Sequence, residues 1–289
     1  MRIGLGTAQL GLNYGITNDD KKVNSESLSK IINLARGSHI KYIDTAISYG
    51  DSEIKLGKNK IDDFYLISKL PKIPVEKENV GIWINDQVDE SLKRLGVETL
   101  YALLLHDTSQ LFDEFIGDEI DKALNKLKEQ GKIKKFGVSA YDPKELQNIL
   151  KIFSPEIVQL PMNVFDNRFQ DHDCLKIMKD KNIEIHSRSA FLQGLLLLNK
   201  ENLPNQFKKW KSLFEKWQKW LEYNNISAIE ACLGHCLSFK EVDCVVVGVD
   251  SFMHFNEVIE LANRKAKVNY PLDFSSKDID LINPLNWEI

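Results

Sequence analysis

Eight short apolar runs, each followed by a longer amphipathic segment, constrain the fold of this chain more than any other sequence feature. The runs are rich in branched aliphatic and aromatic residues, which favours buried strands. They lie at 3–6, 41–46, 64–69, 99–106, 134–140, 156–162, 183–189 and 244–249. Helical patterns lie at 25–36, 78–95, 118–130, 143–151, 171–181, roughly 206–223, and 251–264. Strands that alternate with helices in this way predict parallel pairing through right-handed crossovers.

Eight such units are what a closed (β/α)8 TIM barrel requires, and 289 residues is a common length for one. An open, doubly wound sheet is the alternative. Its usual signature is a GxGxxG turn after the first strand, whereas this chain has GLGTAQLG at 4–11. No Pro-, Gly- or Ser-rich linker interrupts the alternation. We therefore predict an α/β barrel that forms one domain over residues 1–289.

Composition argues against several classes of partner. The net charge is −4 and no basic tail is present, so nucleic acid is not an expected partner. The four cysteines form no CxxC pair, which is typical of reduced thiols in a cytosol. Apolar stretches such as FLQGLLLL are too short to span a bilayer, and no signal-peptide pattern precedes the first strand. We expect a cytoplasmic protein without membrane contact; the oligomeric state is not predicted.

Titratable side chains follow three successive predicted strands. Asp44 ends the second strand, Lys69 the third and His106 the fourth, while Tyr49 lies in the loop after Asp44. Each has an ordinary explanation when taken alone: a turn cap, a solvated lysine, a hydrogen-bonded histidine or a packing tyrosine. In a parallel barrel, however, the carboxyl ends of the strands meet at the mouth where active sites lie. The four residues together therefore predict an active site.

This set of side chains suits protonation of a carbonyl oxygen. A tyrosine hydroxyl has an unperturbed pKa of about 10, and a nearby ammonium favours the phenolate and makes the hydroxyl a better acid. We expect Lys69, held by Asp44, to act on Tyr49 in this way, and His106 to orient the substrate oxygen. The sequence shows no good nucleophile and no metal cluster. The predicted reaction is a reduction in which a cofactor supplies hydride.

At this point the sequence resembles the aldo-keto reductase superfamily. The segments YIDTAISYG (42–50), LISKL (66–70) and LYALLLHD (100–107) resemble its Asp/Tyr signature, lysine strand and histidine strand. The segments GKIKKFGVSAYDPKEL, IVQLPMNVFDNR, FLQGLL and VVVGVDSFMHFNEVIE extend the likeness over the remaining strands. The resemblance implies that Asp44, Tyr49, Lys69 and His106 form a catalytic tetrad. Tyr49 would be the proton donor in the reduction of an aldehyde or ketone.

The resemblance also implies a nicotinamide cofactor that lies extended across the barrel mouth, with NADP(H) favoured over NAD(H). The positions that match its contacts are Thr7, Asp44, Ser139, Gln159, Arg188, Gly248 and Ser251. Among these, Ser139 and Gln159 would hold the carboxamide, and Arg188 replaces an aromatic residue that stacks on the nicotinamide. Many relatives also have an N-terminal hairpin under the barrel, which we expect to be reduced or absent here.

The loop after the eighth strand departs from the pattern of NADP(H)-binding relatives. It carries Asp250, Ser251 and His254 where those relatives place lysine or arginine around the 2′-phosphate. A carboxylate repels a phosphate, which keeps NAD(H) close behind NADP(H). Arg264, in the following helix, is a candidate to supply the missing positive charge.

The expected substrate is a small carbonyl compound, with Tyr14, Tyr49, His106, Phe165 and Arg168 as candidate contacts. Arginine and tyrosine in a pocket suit a sugar-type or anionic carbonyl better than an aliphatic aldehyde. A surface charge at Arg168 and a packing role for Phe165 are the alternatives. The tryptophan-rich segment 199–227 is interpreted mainly as a helix that covers the barrel, with a substrate surface as the other possibility.

Two other functions fit the same residues. In a lyase or aldolase, Lys69 would form a Schiff base, although a carboxylate beside it opposes the depressed pKa that such a lysine needs. In a cofactor-binding regulatory protein, the same site would turn over slowly.

Overall fold

The computed structural model describes residues 1–16, 23–74, 79–264 and 274–287. Eight parallel strands form a closed barrel in which each strand pairs with the next and β8 pairs with β1. The strands are β1 (Ile3–Gly6), β2 (Tyr42–Asp44), β3 (Tyr65–Leu70), β4 (Leu100–Leu105), β5 (Ile133–Ser139), β6 (Ile157–Pro161), β7 (Glu184–Arg188) and β8 (Cys244–Gly248). The predicted (β/α)8 barrel is confirmed, and the open sheet is excluded.

Helices surround the barrel, and several of them begin at a side-chain cap. They are α1 (Ala8–Gly11), α2 (Ser25–Gly37), α3 (Ser52–Gly57), α4 (Val80–Leu95), α5 (Glu114–Glu129), α6 (Pro143–Ile152), α7 (Arg168–Asp171), α8 (Cys174–Asp180), α9 (Lys211–Asn224), α10 (Ala228–Ser238), α11 (Phe252–Ala262) and α12 (Ile279–Ile282). Asn24 caps α2 by accepting a hydrogen bond from the Ser27 amide, and Asp142 caps α6 directly before Pro143. The chain leaves α4 at Gly96, whose φ of +68° favours glycine.

Two predicted helices differ from the observed ones. The helix predicted at 171–181 is broken into α7 and α8, because Asp173 adopts a left-handed conformation with φ +54°. The helix predicted at 206–223 begins as a 3₁₀ segment and becomes α-helical only at Lys211. Helix α10 was not predicted, because its buried stretch AIEACLGHCL lacks a clear polar face.

The amino ends of the strands carry a cluster of aromatic rings. The rings of Tyr65 and Tyr101 stack with their centroids 4.5 Å apart, and Tyr42 packs edge-on against Tyr101 and His186. Glu184 lies among them and accepts hydrogen bonds from Tyr101 and from His186 Nε2. This cluster fills one end of the barrel, so the titratable residues at the carboxyl ends of the strands face the other end.

The tryptophan-rich segment packs onto the barrel. Trp217 of α9 is buried, and its Nε1 donates to Leu196 O at 3.1 Å. Its ring stacks on Trp220 with the centroids 5.6 Å apart, and Phe274 packs against both rings. These contacts support the interpretation of α9 as a covering helix. Across the described ranges, the helices are too short or too polar to cross a membrane.

Candidate active site

A buried ion pair links the ends of β2 and β3. Lys69 is fully buried, and its ammonium donates to Asp44 Oδ2 at 2.7 Å and to Thr45 O at 2.8 Å. The second carboxylate oxygen, Asp44 Oδ1, accepts a hydrogen bond from Gln159 Nε2 at 2.7 Å. A buried charge must be paired in this way, because an isolated one loses its hydration without compensation. The pairing fixes Lys69 with its ammonium at the carboxyl end of the barrel.

Tyr49 and His106 lie beside this ion pair. The Lys69 ammonium is 5.0 Å from the centroid of the Tyr49 ring, within the range of a cation–π contact. The His106 ring packs edge-on against Tyr49 with the centroids 5.9 Å apart. His106 Nδ1 also lies 3.3 Å from Ser48 Oγ. The structure therefore brings together all four residues that the sequence singled out.

The loop that carries Tyr49 is held by a close backbone approach and by buried hydroxyl groups. A Cβ atom on Gly11 would lie 1.7 Å from Tyr49 O, so only glycine fits there, and Gly50 follows with φ +54°. Ser52 Oγ donates to Thr7 O at 3.1 Å and lies 3.1 Å from Thr45 Oγ1. These contacts tie the loop to the ends of β1 and β2. Sequence reasoning missed Gly11 and Ser52. Gly11 is nevertheless the last glycine of GLGTAQLG, the segment against which the Tyr49 loop packs.

The pKa of the Tyr49 phenol is raised above its ordinary value. Burial is the largest cause and the negative charge of Asp44 the second, while Arg188 opposes them. Arg188 is the positive charge named among these causes, and the expected effect of Lys69 on the Tyr49 phenol stays a prediction. Tyr49 is therefore a fully protonated phenol at neutral pH. It holds a proton that it can donate when negative charge develops on an oxygen nearby.

His106 is neutral at pH 7. Burial and then the positive charges of Lys69 and Arg188 lower its pKa to about 4. The unfolded chain binds a proton at His106 near pH 6.5, whereas the folded chain binds it only near pH 4. The free energy of unfolding must therefore decrease as the pH falls from about 6.5 to about 4. For one histidine the slope approaches about 1.4 kcal/mol per pH unit.

We expect His106→Gln to lower by one the number of protons that the chain takes up on unfolding between pH 6.5 and about 4, which makes the free energy of unfolding less dependent on pH. Urea unfolding between pH 6.5 and 5 measures the slope in both proteins. His235, whose pKa burial also lowers to about 4, contributes a second proton that remains in the variant. His235→Gln is the comparator and should flatten the slope by a similar amount. An identical slope in wild type and His106→Gln would contradict the neutral histidine.

A cavity opens beside Tyr49 at the carboxyl ends of the strands. We call it the inner cavity; the residues that line it include Thr7, Gln9, Tyr14, Tyr49, Gln159, Arg188, Gly248, Asp250 and His254. Gly6 and Gly248 are paired at the ends of β1 and β8. A Cβ atom on Gly6 would lie 3.2 Å from Gly248 N, and one on Gly248 would lie 2.5 Å from Gln9 Nε2, so larger side chains at either position would displace their neighbours.

Several buried polar atoms at this cavity await a partner within the described residues. They include Gln159 Oε1, Gln9 Oε1 and His254 Nε2; Ser139 Oγ, on the strand beside Gln159 but outside the cavity lining, also lacks a hydrogen-bond partner among the described residues. Gln159 is only 1% exposed, and an unpaired buried oxygen is costly unless a ligand satisfies it. A carboxamide offers both an N–H donor and a carbonyl acceptor. Gln159 Oε1, with Ser139 on the neighbouring strand, is therefore chemically suited to such a group.

The other predicted cofactor residues have mixed surroundings. Thr7 lines the cavity, but its hydroxyl already donates to Asp44 O at 2.9 Å. Arg188 lines the cavity with its guanidinium 4.1 Å from the centroid of the Tyr141 ring. Ser251 lies just outside the lining and caps α11 by accepting from the His254 amide. The residues present fit a nicotinamide cofactor, with Gln159 and Ser139 as the strongest candidates.

Of the five predicted substrate contacts, Tyr14 and Tyr49 line the inner cavity, whereas His106, Phe165 and Arg168 are not among its lining residues. Phe165 is fully buried and packs edge-on against Phe214 and Trp217, beneath α9. Arg168 forms a two-pronged ion pair with the buried carboxylate of Asp166. Both side chains therefore have structural roles, and the expectation that they line the pocket needs correction. Tyr14 does line the cavity, where burial raises the pKa of its phenol.

The candidate positive charge at Arg264 also lies elsewhere. Arg264 borders a separate cavity with Met1 and Arg2, beyond the C-terminal end of α11. Asp250 and His254, which do reach the inner cavity, lie at the opposite end of that helix, where Asp250 Oδ1 is 3.1 Å from His254 Nδ1.

In the described part of the chain, no group of three or more His, Cys, Asp or Glu side chains could hold a metal ion.

The fold is shared with solved aldo-keto reductases. The holo form of an enzyme from Bacillus halodurans superposes with a TM-score of 0.75, at 20% identity, over 92% of this chain and 88% of that one. Glycerol dehydrogenase from Gluconobacter oxydans gives a TM-score of 0.70 at 22% identity, over 92% of this chain and 88% of that one. At these identities the likeness concerns the fold.

Curated relatives are similar in sequence. NADH-specific methylglyoxal reductase of Escherichia coli is 26% identical over 68% of this chain and 65% of its own length. The chain thus spans slightly less than two thirds of that relative, and 57% of an aldo-keto reductase from Strobilurus tenacellus. L-galactose dehydrogenase of Arabidopsis thaliana is 24% identical over 88% of this chain and 82% of its own length. The sequence model of the Aldo/keto reductase family matches residues 2–269, and the chain belongs to that family.

Proposed function

We propose that this protein reduces an aldehyde or ketone to an alcohol with a nicotinamide cofactor, and that Tyr49 donates the proton. One observation carries the proposal: a buried ammonium, that of Lys69, lies between the Asp44 carboxylate and the face of the Tyr49 ring. His106 flanks the same phenol. A protonated phenol next to a neutral imidazole suits a substrate oxygen that gains negative charge.

Ser139 and Gln159 would hold the carboxamide of a nicotinamide cofactor, which would supply a hydride to the carbonyl carbon. The carbonyl oxygen accepts a hydrogen bond from Tyr49, and His106 orients it as a second donor. As the C–H bond forms, the C=O π-electron pair moves onto the oxygen, which takes the proton from the Tyr49 hydroxyl. The resulting phenolate is stabilised by the Lys69 ammonium and regains its proton from solvent. Asp44 acts through Lys69 by fixing its position.

A polar, small carbonyl compound is the substrate class that the cavity supports. Tyr14 and Arg188 line the cavity near Tyr49, and both can bind hydroxyl or carboxylate groups. The names of the similar proteins include a methylglyoxal reductase and an L-galactose dehydrogenase. A short oxo compound or a sugar is therefore proposed ahead of an aliphatic aldehyde.

The ion pair argues against Schiff-base chemistry at Lys69. All the contacts described for its ammonium are to acceptors, and one is a carboxylate 2.7 Å away. A lysine whose nitrogen is engaged in this way is a poor nucleophile. A regulatory protein with slow turnover would retain cofactor binding but not reduction, so turnover separates it from the enzyme.

The direct test follows loss of the reduced-nicotinamide absorbance with a panel of carbonyl compounds. Methylglyoxal, glycolaldehyde and aldose sugars are the first members, and oxidation of L-galactose tests the reverse direction. We expect turnover with at least one short or sugar-type substrate and formation of the corresponding alcohol by NMR. Cofactor binding without turnover would favour the regulatory alternative. A borohydride-trapped adduct at Lys69 would favour the lyase.

A further inference from the structure

The inner cavity adjoins a shallow groove along α11. We call this the outer groove; it is lined by Ile229, Met253, Asn256, Glu257 and Glu260, together with residues of the inner cavity. The two spaces share Leu197, Asp250 and His254, so they adjoin each other. A dinucleotide whose carboxamide pairs with the buried Gln159 Oε1 would extend along this path. Its adenosine end would then lie in the outer groove.

The outer groove carries only negative charge among the described residues that line it. Glu257 and Glu260 project from one face of α11, because residues three and four apart are neighbours on a helix. Asp250 lies at the entrance, and its hydrogen bond with His254 lowers the pKa of the carboxyl group, which is therefore ionised at neutral pH. Arg264 is too far along the chain to change this balance, since it borders the cavity beside Met1.

Such a groove discriminates between the two nicotinamide dinucleotides. They differ only at the adenosine ribose, where one carries a 2′-hydroxyl and the other a 2′-phosphate. A carboxylate accepts hydrogen bonds from ribose hydroxyl groups, whereas arginine and lysine accommodate a 2′-phosphate. Like charges placed together across an interface oppose binding.

We propose that the acidic outer groove, through Asp250, Glu257 and Glu260, selects NAD(H) and excludes the 2′-phosphate of NADP(H). The inference rests on the proposed function and reverses the order of preference that the family resemblance implied. Sequence reasoning did not single out the two glutamates, because the sequence alone does not show which face of the helix borders the cavity.

Calorimetric titration of the cofactor-free protein with NADH and NADPH tests the selection without turnover. We expect NADH to bind at least about 10-fold more tightly at low ionic strength, a difference of about 1.4 kcal/mol. Added salt should reduce the difference in affinity between NADH and NADPH, because the repulsion between the carboxylates and the 2′-phosphate acts between partly exposed charges. Adenosine 5′-monophosphate and adenosine 2′,5′-bisphosphate isolate the adenosine end, and the monophosphate should compete better.

Charge-neutral variants locate the effect. The double variant Glu257→Gln/Glu260→Gln should tighten NADPH binding at least about threefold and change NADH binding little. Asp250→Arg should shift the ratio further. Glu129→Gln, on the exposed end of α5, is the matched control and should change neither affinity. Equal or tighter binding of NADPH by the wild-type protein would overturn this inference and leave the proposed function intact. Failure to bind either dinucleotide would overturn both.

Discussion

Tyr49→Phe is expected to lower kcat by about 10²- to 10⁴-fold, because it removes the proton that neutralises the developing alkoxide. None of the hydrogen bonds described for the fold involves the Tyr49 hydroxyl, so the variant should unfold at nearly the wild-type temperature. Cofactor affinity should change less than about twofold, since Ser139 and Gln159, which we propose to hold the carboxamide, remain. Steady-state kinetics and direct titration with the preferred dinucleotide measure both quantities.

Tyr14→Phe is the matched control for this prediction. It removes a second phenol from the same cavity but leaves the Lys69 ammonium facing Tyr49. We expect an effect on KM rather than a large loss of kcat. Equal losses in the two variants, or an unchanged kcat in Tyr49→Phe, would remove the proton-donor assignment.

Lys69→Met is expected to reduce both stability and turnover. The variant leaves the Asp44 carboxylate buried with Gln159 as its remaining side-chain donor. Loss of one partner of a buried ion pair costs about 3–5 kcal/mol of the free energy of unfolding. Turnover should fall at least about 100-fold, because the phenolate of Tyr49 loses the buried positive charge that lies 5.0 Å from its ring centroid. Urea unfolding and kcat measured on the folded fraction separate the two effects.

The double variant Asp44→Asn/Lys69→Met distinguishes structural from chemical loss. Neutralising Asp44 removes the unpaired buried charge, so the double variant should regain much of the stability lost by Lys69→Met. Turnover should stay low, since the ammonium is still absent. Recovery of activity together with stability would mean that Lys69 serves the fold alone.

The barrel could be predicted from sequence because its strands are buried on both faces. Every residue of β1 and β6 is buried, which gives the continuous apolar runs that mark parallel strands. Polar residues stand out at the ends of such runs, so Asp44 and Lys69 were visible without coordinates. Helix α10 was missed for the converse reason, since a helix buried on most sides has no polar periodicity to detect.

Loop residues were predicted less well because their surroundings depend on distant segments. Phe165 follows β6 and therefore resembled a pocket residue, but α9 covers it from a point about fifty positions later in the chain. Arg168 resembled a free cation until the fold paired it with Asp166 two residues earlier. The acidic character of the outer groove likewise depends on which turn of α11 borders the cavity. Such relations are set by tertiary packing rather than local pattern.

The close contact between Gly11 and Tyr49 fixes the loops after β1 and β2 relative to each other. Since not even a methyl group fits between them, neither loop can drift or lengthen at that point without displacing the reactive phenol. We therefore expect sequence changes that alter the substrate pocket to be tolerated better in the loops after the later strands than in the first two loops. A residue with no side chain thus limits where new substrate preferences can arise.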